Sequence, residues 1–218
     1  MLKSIQNFFL NLVDIILPLR SDFAIVKNLD EKSIANLPKA PPVEKLDWIS
    51  PLWNYRDKKV KAIVWELKYK ENTRALDFIG KIIFEEIIAL MSDIILFDAE
   101  AEFVLIPIPI SSERRALRGF NQSEYIAKAI LEHDIGRKLL YAPQWLLKTK
   151  ETESQSHTRV REERMKNLSG CFEANPNVAS KYIFLIDDVV TTGSTLSEAR
   201  TKLLSAGARE VFAFTIAH

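Results

Sequence analysis

Residues 182–196 read YIFLIDDVVTTGSTL, and the order of chemistry in that stretch decides the fold. The apolar run Tyr182 to Ile186 has the length and continuity of a strand buried on both faces. Two adjacent carboxylates, Asp187 and Asp188, end the run. A hydroxyl-rich loop follows (Thr191, Thr192, Gly193, Ser194, Thr195), and Ser194 to Ser205 then reads as a helix with Gly207 at its C-cap. Val211 to Ile216 supplies a returning strand. In open α/β sheets, ligands bind at the carboxyl ends of strands. A helix N-terminus placed there offers unpaired N–H groups and the positive end of the dipole, which suit a phosphate. Gly193 allows a positive φ and a close backbone approach, and the hydroxyls add donors. Two carboxylates would repel that phosphate, so they must face something else, such as sugar hydroxyls or a bridging divalent cation. A sugar phosphate with paired free hydroxyls, ribose 5-phosphate being the obvious case, satisfies both halves.

Working outward, Val60, Ile63, Val64 and Leu67 fall at helical spacing within Arg56 to Tyr69. Leu76, Ile79, Ile83, Ile87 and Leu90 do the same within Thr73 to Met91. Phe103 to Ile108 is a short apolar run closed by prolines and suits a buried strand. Asn121 to Glu132 reads as a helix, Trp145 to Leu147 as a strand, and Ser154 to Asn167 as a polar loop turning helical. Strands alternating with helices imply an α/β fold with a mostly parallel central sheet flanked by helices. The proline cluster of Asn28 to Pro51 reads as a surface connection. Residues 1–52 are therefore set apart as an N-terminal helical or irregular appendage, and residues 53–218 as the main domain.

The remaining composition excludes several classes. The chain of 218 residues carries a net charge of +1, so no global field draws it to nucleic acid or membrane. Its one cysteine, Cys171, can form neither an internal disulfide nor a four-cysteine zinc site, which fits a reducing, cytoplasmic setting. Phe8, Leu12, Ile15, Ile16 and Leu19 suit an amphipathic helix packed on the body. That apolar stretch is too short for stable membrane insertion. His133 and His157 have no carboxylate or histidine partner at ligand spacing in the sequence.

A second constellation, PIPISSERRALRGFNQSEYIA at residues 107–127, leaves a strand and gathers Arg114, Arg115 and Arg118 before a helix. Arginines at such a strand end can hold a pyrophosphate through forked hydrogen bonds. Arg159, Arg161 and Arg164 read equally as anion contacts or as a solvated helix face paired with Glu162 and Glu163. Lys68 is a further candidate only if its helix packs over the site.

The stretch 182–196 closely resembles the phosphoribosyl diphosphate (PRPP) signature of type I phosphoribosyltransferases. The RGFNQS run at 118–123, Leu67-Lys68-Tyr69, and the polar run SQSHTRVREERMKNLSGCF at 154–172 resemble motifs of the ComF family, a phosphoribosyltransferase-like group named for DNA uptake during competence. The matched pieces span Trp53 to His218. The resemblance implies a type I phosphoribosyltransferase fold. It implies that Asp187 and Asp188 meet the ribose 2′ and 3′ hydroxyls together with Mg²⁺. It further implies that Thr191, Thr192, Gly193, Ser194 and Thr195 bind the 5′-phosphate. Arg114, Arg115, Arg118, Arg159 and Arg164 become pyrophosphate candidates. Ser194 stands where many members have a second glycine. Many members also begin with a four-cysteine zinc module, for which Leu12 to Arg20 resembles the lead-in but no cysteines follow, so no zinc is expected.

Two functions fit. The first is Mg²⁺-dependent transfer of a phosphoribosyl group from PRPP to an acceptor the sequence does not name. The second is an accessory PRPP-fold protein whose partner is single-stranded DNA or the DNA-uptake machinery. For the second, the run Arg56 to Arg74 carries seven Lys/Arg against three Asp/Glu. Trp53, Trp65 and Tyr69 would there either stack bases or sit in the core.

Overall fold

The computed structural model describes Val26 and residues 31–69, 73–149 and 170–218. The expected helix through Phe8 and Leu19, and the polar run 154–167, lie outside the described residues. The elements are α1 (Glu31–Ala35), β1 (Ile49–Trp53), α2 (Lys58–Tyr69), α3 (Thr73–Phe97), β2 (Phe103–Pro107), α4 (Ser112–Arg118), α5 (Gln122–His133), β3 (Leu139–Tyr141), β4 (Leu146–Lys148), β5 (Phe172–Ala174), β6 (Tyr182–Val189), α6 (Ser194–Ser205) and β7 (Glu210–Ala217).

Five strands form one sheet in the order β1-β7-β6-β2-β3, with every pairing parallel. β4 and β5 form a separate antiparallel pair. The expected α/β class with a parallel sheet is therefore what the chain adopts. The apolar runs are continuous because both faces are covered. Phe103, Leu105, Phe184, Ile186, Phe214 and Ile216 pack into one core with Ile63, Ile79, Ile83 and Ile126 of α2, α3 and α5. Their neighbours Val104, Ile106, Ile183, Leu185, Val211 and Ala213 point the other way, onto Leu196, Ala199 and Leu203 of α6 and onto the β4–β5 pair. Side chains alternating between two buried faces are the strand period of two read in both directions.

Helix α3 passes α5 at close range through Gly80. A Cβ built at Gly80 would lie 2.6 Å from the backbone carbonyl of Ala129, so no side chain fits without pushing the helices apart.

Four elements differ from the sequence reading. The proline-rich stretch 28–51 does not end as a connection. Its last residues begin β1, which pairs with β7 through Ile49↔Ala213 and Pro51↔Thr215 and straddles the boundary drawn between residues 52 and 53. Pro51 is tolerated because β1 is the sheet edge, where a missing N–H costs little. Helix α3 runs on to Phe97, past Met91, and leaves Leu96 and Phe97 exposed at its end. Trp145 belongs to a one-turn 3₁₀ helix, and the strand begins only at Leu146. Ala206 rather than Gly207 is the C-cap of α6, with Gly207 following at φ 94°.

Candidate functional site at the carboxyl ends of β2 and β6

The sheet order sets the location. From β2 the chain proceeds through α5 to β3 on one side, and from β6 through α6 to β7 on the other. Adjacent strands whose connections leave in opposite directions open a crevice at their carboxyl ends, where ligands of such sheets bind. The two sequence constellations leave these two strands. The register pairs Pro107 with Ile186, and the Ile108 N–H donates to the Ile186 carbonyl at 2.9 Å. The β2 exit thus lies beside the start of the acidic pair.

On the β6 side, Asp187 and Asp188 are both half-buried. The Asp188 N–H donates to Asp187 Oδ1 at 2.9 Å, and the Val189 N–H donates to Asp188 Oδ1 at 2.8 Å. Gly193 is the N-cap of α6 with φ 72° and ψ 2°, the left-handed conformation its position in the sequence requires. Its open side has a second use. A Cβ at Gly193 would collide with the Leu46 side chain, which reaches over the loop from the segment before β1. The hydroxyls of Thr192 and Ser194 are 2.8 Å apart, and the Ser194 N–H points at Thr192 Oγ1 at 3.4 Å. Thr191 is exposed, whereas Thr192, Ser194 and Thr195 are half-buried. Behind the loop, Arg200 of α6 lies 5.0 Å from the Trp48 ring and donates to the Val211 carbonyl, tying the Leu46 segment to the same helix.

On the β2 side, the arginines occupy a helix of their own, α4, rather than preceding one. Ser111 caps it by accepting from the Arg114 N–H, and Gly119 closes it at φ 81°. Arg115 is committed: its Nη2 lies 2.5 and 2.6 Å from the two carboxylate oxygens of Glu124. Arg114 is half-buried on the same helix, and Arg118 is its last residue, with a side chain outside the described residues. Lys68 lies near the end of α2, its side chain likewise outside them. Arg159, Arg161 and Arg164 lie outside the described residues.

Several residues at the site received no individual role from sequence reasoning, although three of them belong to the RGFNQS run. Asn121, Gln122 and Ser123 are each buried, at 2–3% exposure. Asn121 caps α5 by accepting from the Ser123 N–H, and its Nδ2 donates to the Ile108 carbonyl at 2.9 Å. The Ser123 hydroxyl donates to Asp187 Oδ1 at 3.0 Å, across 64 residues of chain. Burial first, then the negative charge of Glu124, pushes the Tyr141 phenol above 10, with Arg115 opposing. Asn121 and Ser123 could have been flagged by the Asn-x-x-Glu spacing that often opens a helix. Their partners, Ile108 and Asp187, are tertiary and carry no local signal. His133 also gains a partner the sequence did not show, its Nε2 lying 3.1 Å from Asp77 Oδ1.

A hollow of about 430 Å³ lined by Lys32, Ser33, Asn36, Leu37, Pro38, Asp57 and Lys59 shares no residue with these loops. No helix among the described residues is long and apolar enough to cross a membrane.

No family model matches the chain. The chain is 28% identical over 179 residues to the DNA utilization protein YhgH of Salmonella typhimurium, covering 80% of this chain and 72% of that protein. It is 38% identical over 120 residues to the competence protein ComFC of Bacillus subtilis, covering 54% of this chain and 45% of that one. For ComFC of Streptococcus pneumoniae the figures are 34% over 115 residues, 53% and 48%. A parallel α/β sheet with both motifs at adjacent strand ends, and relatives that bear the ComFC and YhgH names, point the same way: the chain is similar to ComF-family proteins, and these matches support membership of that family.

Proposed function

We propose that the crevice between β2 and β6 binds PRPP and that the protein transfers its phosphoribosyl group. The observation that carries this reading is the meeting of an acidic pair, a glycine-opened helix N-terminus and an arginine-bearing helix at one switch point of the sheet. The N–H groups opening α6, with the hydroxyls of Thr191, Thr192, Ser194 and Thr195, hold the 5′-phosphate. Asp187 and Asp188 accept hydrogen bonds from the ribose hydroxyls. Arg114 faces the pyrophosphate, whereas Arg115 must first leave Glu124.

The donor set suits Mg²⁺, which takes hard oxygen ligands and is commonly held by one or two carboxylates plus substrate phosphates. Asp187 and Asp188 are the carboxylates that would hold it, and when bound it would neutralise charge on the diphosphate. The protein's own contribution is electrostatic: guanidinium groups stabilise the departing diphosphate as positive charge grows at C1 of the ribose. Release of labelled pyrophosphate from PRPP across a panel of nucleobases tests this function. Base-dependent release supports it, and absence of release with every base overturns the transfer step.

A second reading, an accessory role in handling single-stranded DNA, draws on the names of the relatives and on one surface. Arg56, Lys58, Lys59 and Lys61 are exposed on and just before α2, and Lys32 joins Lys59 across the hollow described above. Trp53 is 1% exposed and belongs to the core, so it offers no stacking platform. Salt-sensitive retention of single-stranded DNA together with absence of pyrophosphate release would favour this reading, since fold does not choose between the two.

A further inference from the structure

The hydrogen bonds at the site close a ring that joins the two motifs. Ile108 N–H donates to Ile186 at the end of β6, and Asn121 Nδ2 donates to the Ile108 carbonyl. Asn121 Oδ1 accepts from the Ser123 N–H, and the Ser123 hydroxyl donates to Asp187, the residue after Ile186. Every side chain of the ring except Asp187 is nearly inaccessible: Asn121 and Ser123 are each 2% exposed.

The ring leaves the Ser123 hydroxyl with a specific task. Asn121 already caps α5, so Ser123 is not needed as a cap. Asp187 Oδ1 accepts from both the Ser123 hydroxyl and the Asp188 N–H, one donor from α5 and one from its own strand, which together restrain the carboxylate. A carboxylate meant to meet two neighbouring sugar hydroxyls gains from such fixing, because less rotamer freedom is lost on binding. A hydroxyl on a helix start is rigid where a loop hydroxyl is not.

We propose that Ser123 is a positioning residue for the acidic pair, orienting Asp187 for the ribose hydroxyls and coupling the β2 motif to the β6 motif. The proposal rests on the PRPP reading of the site. Its test is calorimetric titration of PRPP with Mg²⁺, and of inorganic phosphate alone, against the parent, Ser123→Ala, Ser123→Thr, Asp187→Asn and the Ser123→Ala/Asp187→Asn pair. Loss of a hydrogen bond to a charged group predicts about tenfold weaker PRPP binding by Ser123→Ala. Inorganic phosphate should bind unchanged, Ser123→Thr should recover most of the PRPP loss, and Ser123→Ala should cost nothing further in the Asp187→Asn background.

If the parent itself fails to bind PRPP, the reading of the site falls and the proposal falls with it. If the parent binds and Ser123→Ala binds as tightly, the proposal alone is wrong. A loss that extends to phosphate, or that persists undiminished beside Asp187→Asn, marks the hydroxyl as merely structural and equally overturns it. Should Ser123→Thr fail to fold, the Asp187→Asn cycle still decides.

Discussion

The two strand ends that form the site are built in opposite ways. At β6–α6, the acidic pair, the left-handed Gly193 and the helix N-terminus succeed one another within eight residues, Asp187 to Ser194, and their bonds are mostly local: Asp188 to Asp187, Val189 to Asp188, Thr192 to Ser194. At β2–α5, beside the local caps at Ser111 and Asn121, the bonds that shape the site span longer stretches of chain. Asn121 reaches Ile108, Arg115 reaches Glu124, and Ser123 reaches Asp187. A contiguous cradle can be read from sequence because backbone geometry and chemistry coincide. A distributed one cannot, because its partners are chosen by the packing of α5 against the sheet.

The contrast has an exception at Gly193, and it produces the largest expected effect. That glycine serves its own turn but also makes room for Leu46, from a segment 147 residues away by the numbering (193 − 46). Gly193→Val should cost roughly 3 kcal/mol, since a β-branched residue resists positive φ and overpacks the contact. It should also abolish binding of PRPP and ribose 5-phosphate alike. Chemical denaturation of Gly193→Ala with and without Leu46→Ala separates the causes. Partial recovery of stability in the pair means that Leu46 matters, whereas strict additivity would make the β6 cradle as local as its sequence suggests.

The β2 side is broken by Asn121→Ala. The substitution removes the cap of α5 and leaves the Ile108 carbonyl without its side-chain donor, so a loss of about 2 kcal/mol is expected in denaturant melts. A loss below about 0.5 kcal/mol would mean that α5 is held by its apolar face alone.

Legibility followed the same line. The strands β2, β6 and β7 and the helices α2, α3, α5 and α6 showed in the sequence because their periods are long and uninterrupted. β1 did not, because Pro51 reads as a break and only the sheet order reveals an edge strand that tolerates it. β3 and β5 are three residues each, too short for any period, whereas the equally short β4 showed in the sequence displaced by one residue. Within the site, the acidic pair and the hydroxyl loop were legible by residue. The arginines were legible only as a group, since neither the α4 helix nor the Glu124 contact to Arg115 has a sequence signature.

The smallest effect sharpens that last point. Arg115 is half exposed, so Glu124→Gln should change stability by no more than about 0.5 kcal/mol. Its visible consequence is at Tyr141. The folded phenol titrates above 10, so the stability linked to it is complete below pH 10 and is lost as pH rises through the raised midpoint. Removing the Glu124 charge takes away one of the raising causes, and the phenolate absorbance should appear at lower pH, nearer 10. An unchanged midpoint would show that Arg115, Glu124 and Tyr141 do not form one cluster.

The account turns on the acidic pair, and calorimetric titration of PRPP with Mg²⁺ against Asp187→Asn/Asp188→Asn tests it most directly. Both substitutions keep size and polarity at a half-buried strand end, so the fold should survive. The parent should bind PRPP, and the double variant should bind it at least about tenfold more weakly, the effect of weakening charge-assisted hydrogen bonds. Inorganic phosphate should bind the variant as well as the parent or better, because two negative charges beside the Thr191 to Thr195 cradle are gone. Equal PRPP affinity in the parent and the double variant would contradict the account, leaving the two carboxylates as structural ends of a strand.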